Sequence, residues 1–458
     1  MNRRDPMPSR GSAPSQETAA RGGLALDLLL VGLAAGLVTI SSIVGWMLLD
    51  GGANLVLPFP PLLARWLPHV GPGTPVAIAV ALAVITWGPD LAARLAWRPL
   101  LLAAWAAASA WTVALALVDG WQRGIVERLT STEEYLHDVG LVPDIPMMLR
   151  VFSDHILSTE IDPGQTFAWT THVAAHPPGA FLLFVGLDRI GLGSGGAAGI
   201  AVMLVGSSAC AAVAVTLRTV GHEDLARRVV PFSVLFPGAV WVGVSADGMF
   251  AAWLAWGVAL LAVGLTARGT RADLTAVAGG LLLGYALHLS YGLVLGGLIP
   301  LALLLAAPHE RRARATTLAA LGVLIVVAVF TAAGFWWFDG YGKVRLIYAA
   351  SIAQDRPYAY FVWANLGAAL LALGPAVVAG LRRVRPAGPG LLILAALASI
   401  LLADLSGLSK AEVERIWLPF LGWLVVACGL LPRAQARWWL IAQAALALAV
   451  NHLLLTVW

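Results

Sequence analysis

Apolar runs long enough to cross a membrane recur along the whole chain, and they constrain its fold more than any other feature. With 59% of its residues apolar and 12% charged, the chain has more apolar surface than a soluble fold buries. A helix crosses bilayer hydrocarbon with roughly 17–25 residues, so the sequence predicts an all-α, polytopic integral membrane protein with about 13 transmembrane helices. The clearest runs are 23–49, 100–118, 196–217, 315–338 and 438–458.

Arginine clusters between the apolar runs predict the topology, because short loops with an excess of cationic residues face the cytoplasm. This rule places the N-terminus in the cytoplasm and the C-terminus outside, with most acidic residues on the extracytoplasmic face. Residues 1–22 are polar and are predicted to be a disordered cytoplasmic tail. A single membrane domain, 23–458, would follow. The clusters lie at 94–98, 218–228, 268–271, 311–314, 382–385 and 433–437.

The apolar segment 176–191 is too short for an ordinary span. If it crossed the membrane, the arginine cluster at 218–228 would lie outside. We therefore expect a short outer-leaflet or re-entrant helix enclosed by protein, where a partial span is tolerated. The alternative is that one short loop breaks the charge rule. The stretch 274–307 is long enough for two spans, with their turn near His288.

The longest polar segment, 119–175, is predicted to be a large extracytoplasmic loop. Loops of this length inside a compact domain are usually functional or disordered. Its part 142–161 has apolar residues at helical spacing, which predicts an amphipathic helix in the membrane interface. Trp121 and Trp169 occupy positions typical of interfacial tryptophans.

The loop ends at two histidines and two prolines, which bear on how the next helix begins. Pro177 disfavours a helical backbone at His176, and a proline suits the first turn of the helix that follows. His172 and His176 have the spacing of a metal-binding pair on a helix, but the prolines would break such a helix. The alternative is a helix entry with one hydrogen-bonded histidine.

Three short motifs between 133 and 250 resemble the GT-C superfamily of polytopic glycosyltransferases, which use polyprenyl-phosphate sugars. The motifs are Glu-Glu-Tyr at 133–135, His-Pro-Pro-Gly at 176–179 and Ser-Ala-Asp at 245–247. Protein O-mannosyltransferases and aminoarabinose transferases of lipid A have similar elements. In the family the loop usually follows the first span, whereas here it would follow the third, and the acidic pair is usually Asp-Glu. The first departure implies two added N-terminal helices, and the second leaves the choice of base open.

The resemblance implies transfer of a sugar by a single displacement with inversion. Such a reaction needs a carboxylate that accepts the proton of the acceptor hydroxyl and cations or a metal that stabilise the departing phosphate. Glu134 is the first candidate for the base, Glu133 the second and Asp119 the third. The alternative for each is a solvated surface carboxylate.

Outer-face cations are the candidates for holding the donor phosphate. Arg415 lies with Glu414 at the edge of an apolar helix, where ionisable residues are costly and default to a functional hypothesis. A guanidinium can also grip phosphate with two hydrogen bonds. The alternative is an ion pair that anchors the helix end. The complete set of predicted substrate-binding residues is His176, Asp247, Lys343, Arg345, Arg356, Lys410 and Arg415.

The favoured function is therefore glycosyl transfer from a polyprenyl-phosphate sugar to an envelope glycan, lipid or protein acceptor outside the cytoplasmic membrane. A transporter or lipid flippase is the rival class, although no inverted repeat with paired broken helices is visible. An inactive scaffold of the same fold is the third alternative. No cofactor is required by the sequence, a divalent cation remains open, and no basic stripe points to nucleic acid. Lys343 and Lys410 are the only lysines, a bias that favours an actinobacterial source.

Overall fold

The structure is a computed structural model that describes residues 16–307 and 310–457. In these ranges, six helices are long and apolar enough to cross a membrane, by length and composition. Two bent helix pairs raise the number to eight if each is one span. This confirms the predicted all-α, polytopic fold, whereas the count of 13 is not confirmed. The six helices are Gly23–Asp50, Thr74–Arg94, Trp97–Asp119, Gly195–Thr219, Ala246–Thr266 and Arg312–Ala332.

Several apolar runs form helices that are broken or too short to cross alone, which explains the lower number. The pairs Tyr358–Leu373 with Pro375–Leu381, and Leu418–Leu430 with Arg433–Leu453, bend by 107° and 113°. Tyr291–Ala306 and Pro389–Leu405 are shorter apolar helices. Hydropathy records the apolar run in each case, but not the bend or the helix end.

The first helix begins at Gln16, so residues 1–15 of the predicted tail lie outside the described residues and the tail remains a prediction. The stretch 274–307 is interrupted as expected, because the helix Gly269–Ala286 ends before the helical segment Tyr291–Gly297. The helix Pro178–Arg189 has only 12 residues. At 1.5 Å per residue it measures about 18 Å, too short to cross about 30 Å of hydrocarbon.

The large loop 119–175 is built from short helical turns packed onto the helix bundle. The predicted amphipathic helix 142–161 is wrong beyond His155, because its α-helical part is Ile145–Val151 and the following 3₁₀ turn is Phe152–His155. Phe152 is fully buried and lies 5.6 Å from Trp169 between ring centroids. The apolar face therefore covers the protein core rather than the membrane interface, and Trp169 is buried with it. Trp121 is exposed.

The remaining elements are one short β-ladder and several shorter helices. A short antiparallel ladder joins Ala64–Trp66 to Leu454–Thr456, so the C-terminus is tied to the loop after the first helix. The two free cysteines, Cys210 and Cys428, are buried. The other α-helices are Tyr135–Asp138, Thr171–Ala175, Glu223–Val234, Ala239–Val242, Leu298–Ala306, Trp337–Ala350, Ile352–Asp355, Val413–Ile416 and Leu418–Leu424, and a π-helical turn covers Gln122–Val126.

Candidate functional site

Tyr135 anchors the loop against the bundle and thereby fixes the position of Glu134. Its ring stacks on Phe184, with centroids 4.7 Å apart, and lies 6.1 and 5.9 Å from the rings of His172 and His176. Glu134 directly precedes the helix Tyr135–Asp138 and has an extended backbone. The carboxylate is therefore held at the start of a short helix whose first side chain is locked in the core.

Proline controls the backbone on the facing side of the site. The helix Thr171–Ala175 ends at His176, which is extended at φ −120° and ψ 155°, as expected for a residue before proline. The Nδ1 atom of His176 lies 2.8 Å from the His172 carbonyl oxygen. Burial lowers the pKa of His176 to about 4. The side chain is therefore neutral at pH 7, with Nδ1–H donating to the carbonyl.

Glu134 and His172 form a buried pair. The Oε1 atom of Glu134 lies 2.9 Å from Nδ1 of His172, and the two side chains are 5% and 11% exposed. Burial by itself raises the pKa of the Glu134 carboxyl, but the charge and hydrogen bond of His172, together with Arg415, hold it below its usual value. Glu134 is therefore an ionised carboxylate in a largely water-free setting, the state that a general base requires.

Arg415 connects two further acidic residues to this pair. Its Nη1 atom donates to Oδ2 of Asp247 at 2.9 Å, and its Nη2 atom donates to Oε2 of Glu412 at 3.0 Å. Asp247 lies in the first turn of the helix Ala246–Thr266, where the helix dipole favours a negative charge. The guanidinium is thus fixed between a transmembrane helix and the loop that precedes Val413–Ile416.

A second guanidinium lies on the other side of Glu412. Nη2 of Arg356 is 3.6 Å from Oε1 of Glu412. Arg356 is held by the backbone, since its Nε donates to the Leu55 carbonyl at 3.1 Å and its Nη1 donates to the Lys410 carbonyl at 2.6 Å. Lys410 in turn donates from Nζ to the Arg356 carbonyl at 3.0 Å. Glu412 therefore bridges two positioned cations.

Glu414 adds a buried carboxyl next to this bridge. It is fully buried, and no side chain among the residues that the structure describes donates a hydrogen bond to its carboxylate. Its own backbone N–H and that of Leu63 lie close enough to lower its pKa. Burial raises its pKa to about 7, with a smaller contribution from the charge of Glu412. A buried group with a strongly shifted pKa beside ionised residues is a candidate functional residue.

The structure thus brings together five of the residues predicted from the sequence: Glu134, His176, Asp247, Arg356 and Arg415. Lys410 joins them through its backbone and its ammonium group. His172, weighed in the sequence only as a metal ligand, and Glu412, not singled out at all, belong to the same group. The sequence did contain a signal for Glu412, because Glu412, Glu414 and Arg415 lie beside an apolar run. That signal is weak, since a carboxylate in a loop is usually exposed to solvent.

Four predicted residues lie apart from this group. Glu133 is exposed and accepts a hydrogen bond from Thr132 at 3.0 Å. Asp119 pairs with His69 at 2.7 Å and Arg128 at 2.8 Å. Lys343 lies 3.2 Å from Asp339 and donates to the Ser153 carbonyl, while Arg345 is exposed. The described residues contain no group of three or more His, Cys, Asp or Glu side chains arranged to hold a metal ion.

No protein-family profile matches the sequence, and no curated protein matches it. The solved structures that are similar to it in part include the following two. ArnT from Cupriavidus metallidurans in the apo state is 18% identical, with a TM-score of 0.41 over 69% of this chain and 58% of that chain. The Archaeoglobus fulgidus oligosaccharyltransferase in complex with Zn and sulfate is 14% identical, with a TM-score of 0.47 over 76% and 53%. The chain spans little more than half the length of either, and similarity at this level carries no argument about its activity.

Proposed function

We propose that the protein is a glycosyltransferase of GT-C type that moves a sugar from a polyprenyl-phosphate donor to an extracytoplasmic glycan, lipid or protein acceptor. The observation that carries this proposal is a buried carboxylate, Glu134, held at 2.9 Å from His172, beside a buried guanidinium, Arg415, that is fixed by Asp247 and Glu412. The charge of Arg415 helps to hold the pKa of Glu134 below its usual value. Proton acceptance and phosphate stabilisation are the two tasks of the reaction. The site offers one group for each task within a single buried cluster.

Glu134 is the proposed base. It accepts the proton of the acceptor hydroxyl while the oxygen attacks the anomeric carbon. The bond between that carbon and the phosphate oxygen breaks, and the lipid phosphate leaves with the bonding electron pair. The contact of 2.9 Å with His172 orients the carboxylate. An attack from the face opposite the leaving phosphate inverts the configuration at the anomeric carbon.

Arg356 and Arg415 are the proposed contacts of the departing phosphate, with Lys410 beside them. Guanidinium groups suit this role because their N–H donors match phosphate oxygens in pairs. His176 and Asp247 line the same place, and Asp247 fixes Arg415 at 2.9 Å. Lys343 and Arg345 lie on the helix Trp337–Ala350. From there they would contact the donor only while it enters the site.

The proposed orientation places this cluster on the extracytoplasmic side, with the N-terminus in the cytoplasm, the C-terminus outside and 23–458 as one membrane domain. The segment that carries Glu134 belongs to the loop 119–175, which the charge rule assigns to that side. Membrane lipids would surround the apolar helices and hold the donor's prenyl chain. The donor would then meet an acceptor from the envelope.

The test is sugar transfer by the purified protein in membranes that contain polyprenyl-phosphate sugars. Glu134→Gln keeps the size and most of the hydrogen bonding of the side chain but cannot accept a proton. Turnover should fall by about 10²–10⁴-fold, the usual contribution of a positioned base, with donor binding little changed.

Glu133→Gln is the matched control, since it makes the same chemical change at the exposed neighbouring position. Its effect on turnover should be small. Normal transfer by the Glu133/Glu134 double variant would remove both residues from catalysis. If the wild-type protein transfers no sugar from any polyprenyl-phosphate donor but moves a substrate across vesicle membranes, the protein is a transporter and the proposed function is wrong.

A further inference from the structure

Glu412 occupies a position that an anionic ligand would be expected to fill. Its two carboxylate oxygens face different guanidinium groups, Oε2 at 3.0 Å from Nη2 of Arg415 and Oε1 at 3.6 Å from Nη2 of Arg356. The two arginine side chains are 7% and 8% exposed. Two buried guanidinium groups that converge on one pair of oxygens form an arrangement that binds phosphate as well as carboxylate.

The backbone that carries Glu412 is strained. Ala411 and Glu412 have φ values of 75° and 61°, in the left-handed region that non-glycine side chains rarely adopt. Such conformations cost about 1–3 kcal/mol each and persist only where neighbouring contacts impose them. Asn365 supplies these contacts, since its Oδ1 accepts from the Ala411 N–H at 3.2 Å and its Nδ2 donates to the Ser409 carbonyl at 2.7 Å.

Both guanidinium groups have other contacts that would remain if Glu412 left. Asp247 holds Nη1 of Arg415 at 2.9 Å. The carbonyl oxygens of Leu55 and Lys410 hold Arg356 at 3.1 and 2.6 Å. The positions of the two cations therefore do not depend on Glu412 alone, and the place between them would stay formed for another anion.

Glu412 is also more exposed to solvent than the other acidic members of the cluster. Its side chain is 19% exposed, whereas Glu134 and Asp247 are 5% and 6% exposed. Rotation of this one side chain towards solvent would uncover the guanidinium groups of Arg356 and Arg415. No other ionised group of the bridge would have to move.

We propose that Arg356 and Arg415 form a lipid-phosphate subsite, and that Glu412 fills this subsite as an internal competitor until the phosphate displaces it. The lipid character of the ligand rests on the proposed function, whereas the anion subsite rests on the contacts above. Phosphate oxygens would accept the hydrogen bond that Arg415 donates to Glu412 in this structure, and they would replace Glu412 in its ion pair with Arg356. Glu412 would then point towards solvent, and the positive charge of the two arginines would be neutralised by the ligand.

The test is calorimetric binding of farnesyl phosphate and of inorganic phosphate to the purified full-length protein. Glu412→Gln removes the competing charge and keeps the shape of the side chain. If the open arrangement is populated at about 10% in the wild type, removal of the competitor tightens farnesyl phosphate binding about tenfold. Farnesyl phosphate should bind more tightly than inorganic phosphate, and equal affinities would contradict the lipid assignment.

Two controls separate competition from a general effect of charge or folding. Glu127→Gln removes an acid at an exposed position of the loop 119–175 and should leave the affinity unchanged. Arg356→Lys in the Glu412→Gln background should lose the gain in affinity, because a lysine cannot reproduce the guanidinium contacts. Unchanged or weaker binding by Glu412→Gln, with its melting temperature preserved, would overturn the proposal.

If Glu412→Gln does not fold, the wild-type protein still decides the question. Farnesyl phosphate should change the rate of amide hydrogen exchange at 409–416, because this segment has to rearrange. An unchanged exchange rate in this segment at saturating farnesyl phosphate would contradict the proposal. The outcome is also distinct from that of the proposed function. Tight binding of farnesyl phosphate without sugar transfer would support the phosphate subsite and contradict the glycosyltransferase function. Sugar transfer with no effect of Glu412→Gln on binding would support the function and contradict the role of Glu412.

Discussion

Replacement of His176 by asparagine should make the protein less sensitive to acid. Burial lowers the pKa of His176 to about 4, whereas an unfolded histidine has a pKa of about 6.5. Below pH 6.5 the unfolded chain therefore binds a proton that the folded chain excludes, and stability falls as the pH falls. The negative charges of Asp247 and Glu134 favour protonation of His176, whereas the positive charges of His172 and Arg415 oppose it.

The size of the effect follows from the two pKa values. The loss of stability between neutral pH and about pH 5 is about 2 kcal/mol, and it grows to about 3 kcal/mol near pH 4, where the folded protein begins to protonate His176 as well. Asparagine keeps a donor for the His172 carbonyl, which lies 2.8 Å from Nδ1 of His176. The variant therefore removes the titrating group with little change in hydrogen bonding.

The assay is thermal unfolding in detergent between about pH 7.5 and 5. The melting temperature of His176→Asn should fall less across this range than that of the wild type. His137→Asn, at an exposed histidine in the same loop, is the control and should follow the wild type. An acid sensitivity of His176→Asn equal to that of the wild type would show that His176 is not a buried neutral group in the folded state.

Three further predictions concern the arginine bridge, the separate carboxylate and the topology. Arg415→Lys should weaken donor binding and lower the melting temperature, because one ammonium group cannot pair with both Asp247 and Glu412. If the variant binds the donor as tightly as the wild type, Arg415 serves only to anchor the helix end. Asp119→Asn should cost about 3–5 kcal/mol of stability because it breaks a buried ion pair, while turnover per folded molecule stays normal, and a specific loss of turnover would return Asp119 to the catalytic candidates. An impermeant thiol reagent applied to intact cells should label Thr130→Cys and Ala350→Cys but not His222→Cys or Arg312→Cys, and labelling at 222 would contradict the proposed orientation.

The fold could be predicted from the sequence at the level of class but not of span number. Apolar composition and run length suffice to indicate a helical membrane protein. They do not reveal that a run breaks after Leu373 into two helices at 107° to each other, because the bend depends on what each half packs against. The same limit applies to 142–161, whose helical spacing of apolar residues fits a membrane interface and a protein core equally well.

Several residues of the candidate site could be predicted from the sequence, but their contacts with one another could not. Acidic and basic residues beside apolar runs pointed to Glu134, Asp247 and Arg415, which the fold brings into one cluster. Glu412 was missed because its position depends on a left-handed backbone at a non-glycine residue, which no local sequence signal announces. Asp119 lies apart from this cluster, and its pairing with His69 could not be predicted, because two helices, Thr74–Arg94 and Trp97–Ala116, separate the two residues in sequence.

The burial of so many ionised groups is itself an argument that the cluster serves something other than folding. Removing charges from water costs several kcal/mol per ion, and a buried ion-pair network is often no more stabilising than apolar residues of the same volume. In this protein the cost is incurred where the backbone is strained at Ala411 and Glu412, next to a fully buried carboxyl, Glu414, to which no described side chain donates a hydrogen bond. These features oppose stability together, and they lie within one group of contacting elements. A site that must accept a proton and hold a phosphate gives each of them a purpose that packing alone does not.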